Sequence, residues 1–237
     1  MGNMNLCIDI GNTSTKAAVF RNGKEVSYFK PFEVSDLVGL KEKYRDLSIL
    51  SSISGSNPKL EKELKLSEVL THETSLPIFL DYKTPETLGR DRIAAAVGAH
   101  YIDKKSNWII VDLGTCLTLD VLVDGVFLGG LISPGVQMRF KAMNQFTAGL
   151  PLANQNYTTG FPGKSTIESL QVGVCKSVIY EINGYIRQLN EQYSDLKIVD
   201  CSSQNILFDK EVKNEIFARP KLVVEGLSHI LDYNADK

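Results

Sequence analysis

No apolar run among the 237 residues approaches the roughly 18–20 that a bilayer-spanning helix needs, so such a helix is excluded. Cysteine is scarce. Cys7, Cys116, Cys175 and Cys201 lie far apart, mostly among apolar neighbours, and form no C-x-x-C pair. They read as buried reduced thiols of a cytosolic protein, not as a disulfide framework. Histidine is scarcer still: His72, His100 and His229 stand alone with no pair at metal-ligand spacing, which argues against a zinc site. An excess of one charge is missing too, with 26 Lys and Arg against 28 Asp and Glu. The net charge of −2 leaves no electrostatic footprint for nucleic acid or an anionic membrane, and neither is expected as a partner. Asp9 falls where a signal peptide would be apolar, and Leu6 stands where a myristoylation signal wants Ser or Thr. A cytoplasmic protein is the expectation.

What is present is a soluble composition, 43% hydrophobic and 23% charged, long enough for one large domain or two of about 100–130 residues each. Its dominant feature is an internal repeat. Leu6 to Ile10 reads as a buried strand that carries into Asp9-Ile10-Gly11-Asn12-Thr13-Ser14-Thr15-Lys16. Val19-Phe20 leads to Asn22-Gly23, a strong hairpin signal, and then to Val26–Phe29. The pattern returns in Trp108 to Val111, Asp112-Leu113-Gly114-Thr115, Leu117 to Val123, Asp124-Gly125 and Val126-Phe127-Leu128. The Asp-to-turn spacings are 13 residues (Asp9 to Asn22) and 12 residues (Asp112 to Asp124). Two related half-structures are therefore the expected architecture.

An Asp-x-Gly turn at a strand end leaves backbone N–H groups around a concavity, and glycine lets a phosphate approach them. Ser and Thr hydroxyls add donors, Lys16 can neutralise a terminal phosphate, and a strand-end Asp suits a hydrated magnesium ion. Two such turns facing one another would hold a nucleotide's phosphate chain from both sides. A single copy would be only a good turn; two copies with matched hairpins favour the phosphate reading.

Between the repeats, Leu47–Ile53 reads as a buried strand, Lys59–Leu70 as a helix and Leu76–Leu80 as a short strand, an α/β alternation. Asp81 to Arg92 then precedes Ile93-Ala94-Ala95-Ala96-Val97-Gly98-Ala99, a small apolar helix meant for close packing. Asp91 at its start either satisfies the helix dipole or acts as a base, and Arg92 can grip a carboxylate in a planar fork. Gly129–Gly135 reads as a glycine turn or a loop brought close to a nucleotide. Gly149–Lys164 is a long loop, and Ser165-Thr166-Ile167-Glu168 is a capping box. It opens a helix whose Ile167, Leu170, Val174, Val178, Ile182, Ile186 and Leu189 form a core stripe, with a dimer seam as the rival. Lys197–Asp200 is a strand, and Leu222, Val223, Leu227, Ile230 and Leu231 mark a closing amphipathic helix.

The duplicated Asp-x-Gly hairpins resemble those of the actin-like ATPase superfamily. The fuller match is to type III pantothenate kinases, which carry a Tyr, a Pro and Leu-Gly-x-Asp-Arg, here Tyr82, Pro85 and Leu88-Gly89-Arg90-Asp91-Arg92. They combine it with Asp-x-Gly-Asn-Thr (Asp9 to Thr13), Asp-x-Gly-Thr-x-x-Thr (Asp112 to Thr118, then Asp120) and Gly-Gly-x-Ile-x-Pro-Gly (Gly129 to Gly135). The resemblance implies two related ribonuclease H-like α/β domains with mixed sheets flanked by helices, at 1–105 and 106–237. It implies ATP-dependent phosphorylation of pantothenate to 4′-phosphopantothenate, the entry to coenzyme A synthesis, by a homodimer. Asp91 is then the proton acceptor, and Tyr82, Gly89, Arg90, Arg92 and Thr166 fall in pantothenate-binding positions. Asp9, Ile10, Gly11, Asn12, Thr13, Ser14, Thr15, Lys16 and Thr115 bind ATP with Mg. Asp9, by the strand-end chemistry above, is the expected Mg residue, and the resemblance implies that Asp112 coordinates a monovalent cation, potassium or ammonium. One departure stands out: where the family's last strand runs into Thr-Gly-Gly, this chain has Cys201-Ser202-Ser203-Gln204-Asn205. The rival readings are a kinase for another small hydroxylated substrate and a non-catalytic regulator on the same fold.

Overall fold

The computed structural model describes residues 4–44, 46–65, 68–202 and 214–235. The chain forms two compact units. The first contains 1–106, 122–129 and 220–237, and the second contains 107–121 and 130–219.

In the first unit, β1 (Met4–Ile10) is buried along its whole length between β2 (Thr15–Arg21), which runs antiparallel to it, and β4 (Leu47–Ile53), which runs parallel. With β3 (Lys24–Phe29) the order is β3-β2-β1-β4. Alternation along β1 sends Leu6, Ile8 and Ile10 into one core with Phe32, Leu37, Leu40 and Leu60 from α1 (Val34–Lys43), α2 (Pro58–Glu63) and their approach. Asn5, Cys7 and Asp9 face the other way. There Asn5 Nδ2 donates to Asp232 Oδ1 at 2.8 Å and to Ser228 Oγ at 3.4 Å, both on α7 (Leu222–Ala235). Against α7 lies α3 (Arg90–Ile102), buried from Arg92 to Ala99. A Cβ on Gly226 would stand 1.8 Å from the Ala94 carbonyl oxygen, and one on Gly98 2.7 Å from that of Leu222. The two helices meet backbone to backbone because these two residues have no side chain.

The second repeat has the same construction. β6 (Asn107–Leu113), β7 (Cys116–Val123), β8 (Val126–Pro134) and β9 (Leu196–Asp200) lie in the order β8-β7-β6-β9, with β9 parallel to β6. β10 (Ile216–Ala218) flanks β9, and β5 (Phe79–Leu80) pairs with the start of β8. Both hairpin tips have left-handed backbone, φ 51° and 72° at Asn22-Gly23 and φ 51° and 75° at Asp124-Gly125, as a two-residue turn between twisted strands requires. Two mixed α/β sheets flanked by helices are the observed fold. α4 (Val136–Phe146) follows β8; α5 (Thr166–Gln171), a π-helical turn (Val172–Lys176) and α6 (Ser177–Gln192) follow the long loop.

Several local expectations are corrected. The helix expected over 59–70 stops at Glu63, where the backbone of Leu64 turns extended (φ −87°, ψ 140°); Leu70 instead donates its N–H to the Ser51 carbonyl of β4. The strand expected from Leu76 shrinks to Phe79–Leu80, since Pro77 has no N–H to give a ladder. Residues 129–134 are strand, not loop: a Cβ on Gly130 would lie 1.9 Å from the Leu119 carbonyl oxygen, so that glycine serves close packing within the sheet. Only half of the capping box forms. Ser165 accepts from the Glu168 amide, but the Glu168 carboxylate accepts from Lys164 N, not from Ser165. The core stripe is buried from Leu170 to Ile186, while Ile167 is exposed. Val224, absent from the expected α7 face, is buried, and Val223 and Leu231 are half-buried. Cys116 is half-buried, unlike the other three thiols.

Candidate functional site

β1 ends in a turn tightened by the Gly11 N–H donating to the Ser14 carbonyl at 3.2 Å. That amide therefore closes the turn, and Asn12 and Thr13 are its exposed residues. Ser54 and Gly55, just beyond β4, donate their amides to the Ile10 carbonyl at 3.0 and 2.8 Å. A Cβ on Gly55 would fall 2.2 Å from the Gly11 carbonyl oxygen, so the turn is held from behind by a second bare backbone. Asp9 is buried and in register with Lys16 of β2. Thr15 is buried as well, and its hydroxyl accepts from Asn57 Nδ2 at 3.4 Å, at the start of α2. Burial first, then the negative charge of Asp9, then Glu25 push the Tyr28 hydroxyl's pKa up. A buried carboxylate flanked by a lysine, beside an exposed polar turn, fits a hydrated magnesium ion carried in with phosphates, which needs only one or two protein carboxylates. Among the described residues no group of three or more His, Cys, Asp or Glu could form an all-protein metal cage.

In the same unit, residues 84–89 form a folded segment in front of α3. Arg90 staples it, donating to the carbonyls of Pro85 at 3.0 Å and Glu86 at 2.9 Å. Its fork is thereby turned to the protein's own backbone. Asp91 stands half-buried in the first turn of α3, its Oδ1 accepting from the Arg92 amide at 2.9 Å. A Cβ on Gly89 would lie 2.6 Å from that oxygen, so Gly89 makes room for the carboxylate. Arg92 is buried, its guanidinium 5.8 Å from the centre of the Phe127 ring, and the Tyr82 ring lies 6.1 Å from the same ring. Tyr82 also covers Gly129, where a Cβ would touch it at 3.4 Å on backbone already at φ 92°. Phe127 thus brings Tyr82 and Arg92 together, and Gly89 and Asp91 adjoin Arg92 at the start of α3.

In the second unit, Asp112 is half-buried, and Gly114 and Thr115 are exposed. The Gly114 amide donates to the Cys116 carbonyl at 2.9 Å, and Gly135 N–H to the Thr115 carbonyl at 3.0 Å. A Cβ on Gly135 would lie 2.3 Å from the Gly114 carbonyl oxygen, which repeats the device at Gly55 with another element. One carboxylate among packed turn carbonyls fits a hard monovalent cation, which takes oxygen ligands. At the end of β9, the Ser202 hydroxyl accepts from the buried Leu113 amide at 2.7 Å, next to Asp112 in the chain. The remainder of the departure from Thr-Gly-Gly, 203–205, lies outside the described residues. Arg139 ties the end of β8 to α6, donating to Pro134 O at 2.7 Å and pairing with Glu181. Thr166 is exposed at the first position of α5.

Residues 5–188 match the family model of type III pantothenate kinase. The chain belongs to that family. It is 37% identical over 239 residues to the type III pantothenate kinase of Phocaeicola vulgatus, covering 98% of this chain and 99% of that one. It is 38% identical over 241 residues to that of Christiangramia forsetii, with the same coverage. The crystal structure of MreB5 of Spiroplasma citri bound to ADP superposes with a TM-score of 0.52 at 11% identity, covering 99% of this chain and 98% of that one, a likeness of fold alone. Pantothenate phosphorylation in coenzyme A biosynthesis is the reaction of this kinase family. For a member of it, Phe127 and Gly55 went unnoticed in the sequence, and Ser202 stood out there only as part of the departure from Thr-Gly-Gly. Gly55 had a signal, a glycine two residues past the end of a buried strand. Phe127 had none, because its contact with the Tyr82–Arg92 segment exists only once β5 pairs with β8.

Proposed function

We propose that Asp91 is the general base of pantothenate phosphorylation and that the Asp9 turn receives the phosphates of ATP. The setting of Tyr82 and Arg92 against Phe127, with Asp91 bonded to the Arg92 amide in the unit that also carries the Asp9 turn, is the observation that carries this reading. Asp91 takes the proton of the primary hydroxyl as that oxygen bonds to the γ-phosphorus, the bond to the β-phosphate oxygen breaks, and ADP leaves. The amides at Asn12 and Thr13, with Lys16, balance charge on the transferred group. Phosphoryl transfer depends mainly on such positioning and electrostatics. Magnesium held at Asp9 neutralises phosphate charge when bound. Arg92, desolvated and set over the Phe127 ring, holds the pantothenate carboxylate; Tyr82 walls the substrate, and Thr166 adds a hydroxyl to it. Arg90 and Gly89 act by shaping the segment that carries Asp91. Asp112 takes potassium or ammonium, and Thr115 contacts ATP. A homodimer completes the reading, supported by the exposed Phe146, Leu152, Phe161 and Tyr180 of the second unit.

The test is product identification. With ATP, Mg and potassium, the protein is expected to convert pantothenate to a species heavier by one phosphoryl group, and omission of potassium is expected to slow it. Nucleotide binding with no phosphorylated pantothenate, but turnover on another small alcohol, would replace the substrate.

A further inference from the structure

We propose that Ser52 is a positioning residue for the phosphate end of this reaction: its hydroxyl orients the Asp9 carboxylate when magnesium and nucleotide are bound. This rests on the role given to Asp9 above. Ser52 of β4 is the parallel register partner of Asp9, and Lys16 of β2 is its antiparallel one. Register partners project from the same sheet face, so a lysine, a carboxylate and a hydroxyl form one row across three strands. Ser52 is 0% exposed, and its hydroxyl has no hydrogen-bond partner among the described residues. The adjacent Ser51, equally buried on the opposite face, donates its hydroxyl to the Glu68 carbonyl at 2.8 Å. An unpartnered buried hydroxyl is unfavourable, and alanine would occupy the strand without that cost.

The repeat supplies an internal control. Asp112 corresponds to Asp9, and Cys201, one step past the Val111–Asp200 pair, corresponds to Ser52. Cys201 Sγ donates to the Val111 carbonyl at 3.4 Å, so in the second half this position is committed to the main chain. At this register position, only the half whose carboxylate is assigned to magnesium keeps a donor uncommitted. Groups that hydrogen-bond a ligating carboxylate fix its orientation and raise its affinity for the ion. The Ser52 O–H does this from one side of Asp9, leaving a carboxylate oxygen for the water shell of the ion.

The experiment titrates Mg against Ser52→Ala and Ser52→Cys in the full chain at fixed ADP, following nucleotide binding by calorimetry and stability by denaturant. Ser52→Ala is expected to be as stable as wild type or more so, yet to need about tenfold more Mg for nucleotide binding. Binding of ADP without metal should be unchanged, and Ser52→Cys should fall between. A wild-type Mg midpoint in Ser52→Ala overturns the proposal, and so does lowered stability with that midpoint unmoved, which would assign the hydroxyl to the fold. If Ser52→Ala does not fold, Ser52→Cys decides by the same midpoint. Because the readout is binding, a wild type that takes up Mg and ADP but fails to phosphorylate pantothenate would refute the proposed substrate and leave this test intact.

Discussion

Gly89 decides where the Asp91 carboxylate can sit. A methyl group there would meet Asp91 Oδ1 at 2.6 Å, and the side chain of the aspartate must swing away. Gly89→Ala is therefore expected to lower kcat by about 100-fold, the usual scale for a misplacement of about 1 Å at reacting groups. Its denaturation midpoint should stay close to wild type, since Gly89 is half-buried at a helix start. Steady-state kinetics beside a denaturant titration separates the two effects. Loss of the guanidinium at Arg92 has a different signature. Arg92→Leu keeps most of the packing against Phe127 but removes the charge, so KM for pantothenate should rise by at least about tenfold while KM for ATP is unchanged.

The α3–α7 pair works at the scale of the element. α3 is small and apolar along the face that Gly98 and Gly226 let α7 approach, and this contact closes the sheet face bearing Asn5, Cys7 and Asp9. Gly226→Ala forces a Cβ within 1.8 Å of a carbonyl oxygen in the neighbouring helix, where backbone cannot yield cheaply. A destabilisation of about 3 kcal/mol is expected in denaturant unfolding, at the upper end for overpacked cores. A change within about 0.5 kcal/mol would show that the helices can slide apart. The strands and hairpins of this element set were legible in the sequence because they have strong local causes: Asn-Gly and Asp-Gly turns, continuous apolar runs and a two-fold repeat. Periodicity alone extended the 59–70 and 76–80 segments too far. What α7 packs against was not legible, since Gly226 and Val224 acquire their meaning only from a helix more than a hundred residues earlier.

Across the whole molecule, stability should depend on pH through two histidines. Burial holds the His100 imidazole below its ordinary 6.5, and Lys104 lowers it further. His229, stacked on Tyr101 at 4.0 Å, is lowered by burial against an opposing pull from Asp232, with Lys104 again lowering it. Both are neutral in the folded state where the unfolded chain already binds protons. Their contribution is complete above pH 6.5 and is lost as pH falls below it towards the folded-state values. The denaturant midpoint is expected to drop between about pH 7 and pH 5, and His229→Gln should reduce that slope.

Two Asp-x-Gly turns of the candidate site were legible because phosphate chemistry demands those residue types in short windows. The Leu-Gly-x-Asp-Arg segment was legible through its resemblance to the family, since Asp91 alone reads equally as a helix-start residue. The site's support was not, for Phe127, Gly55 and Ser202 act through contacts that exist only after folding. The most direct measurement is ATP turnover with pantothenate by Asp91→Asn, beside calorimetric ADP binding by the same variant. Turnover lowered by about 100-fold or more with ADP affinity unchanged is expected of a general base. An asparagine variant that turns over at the wild-type rate would contradict that role and move the proton to another acceptor.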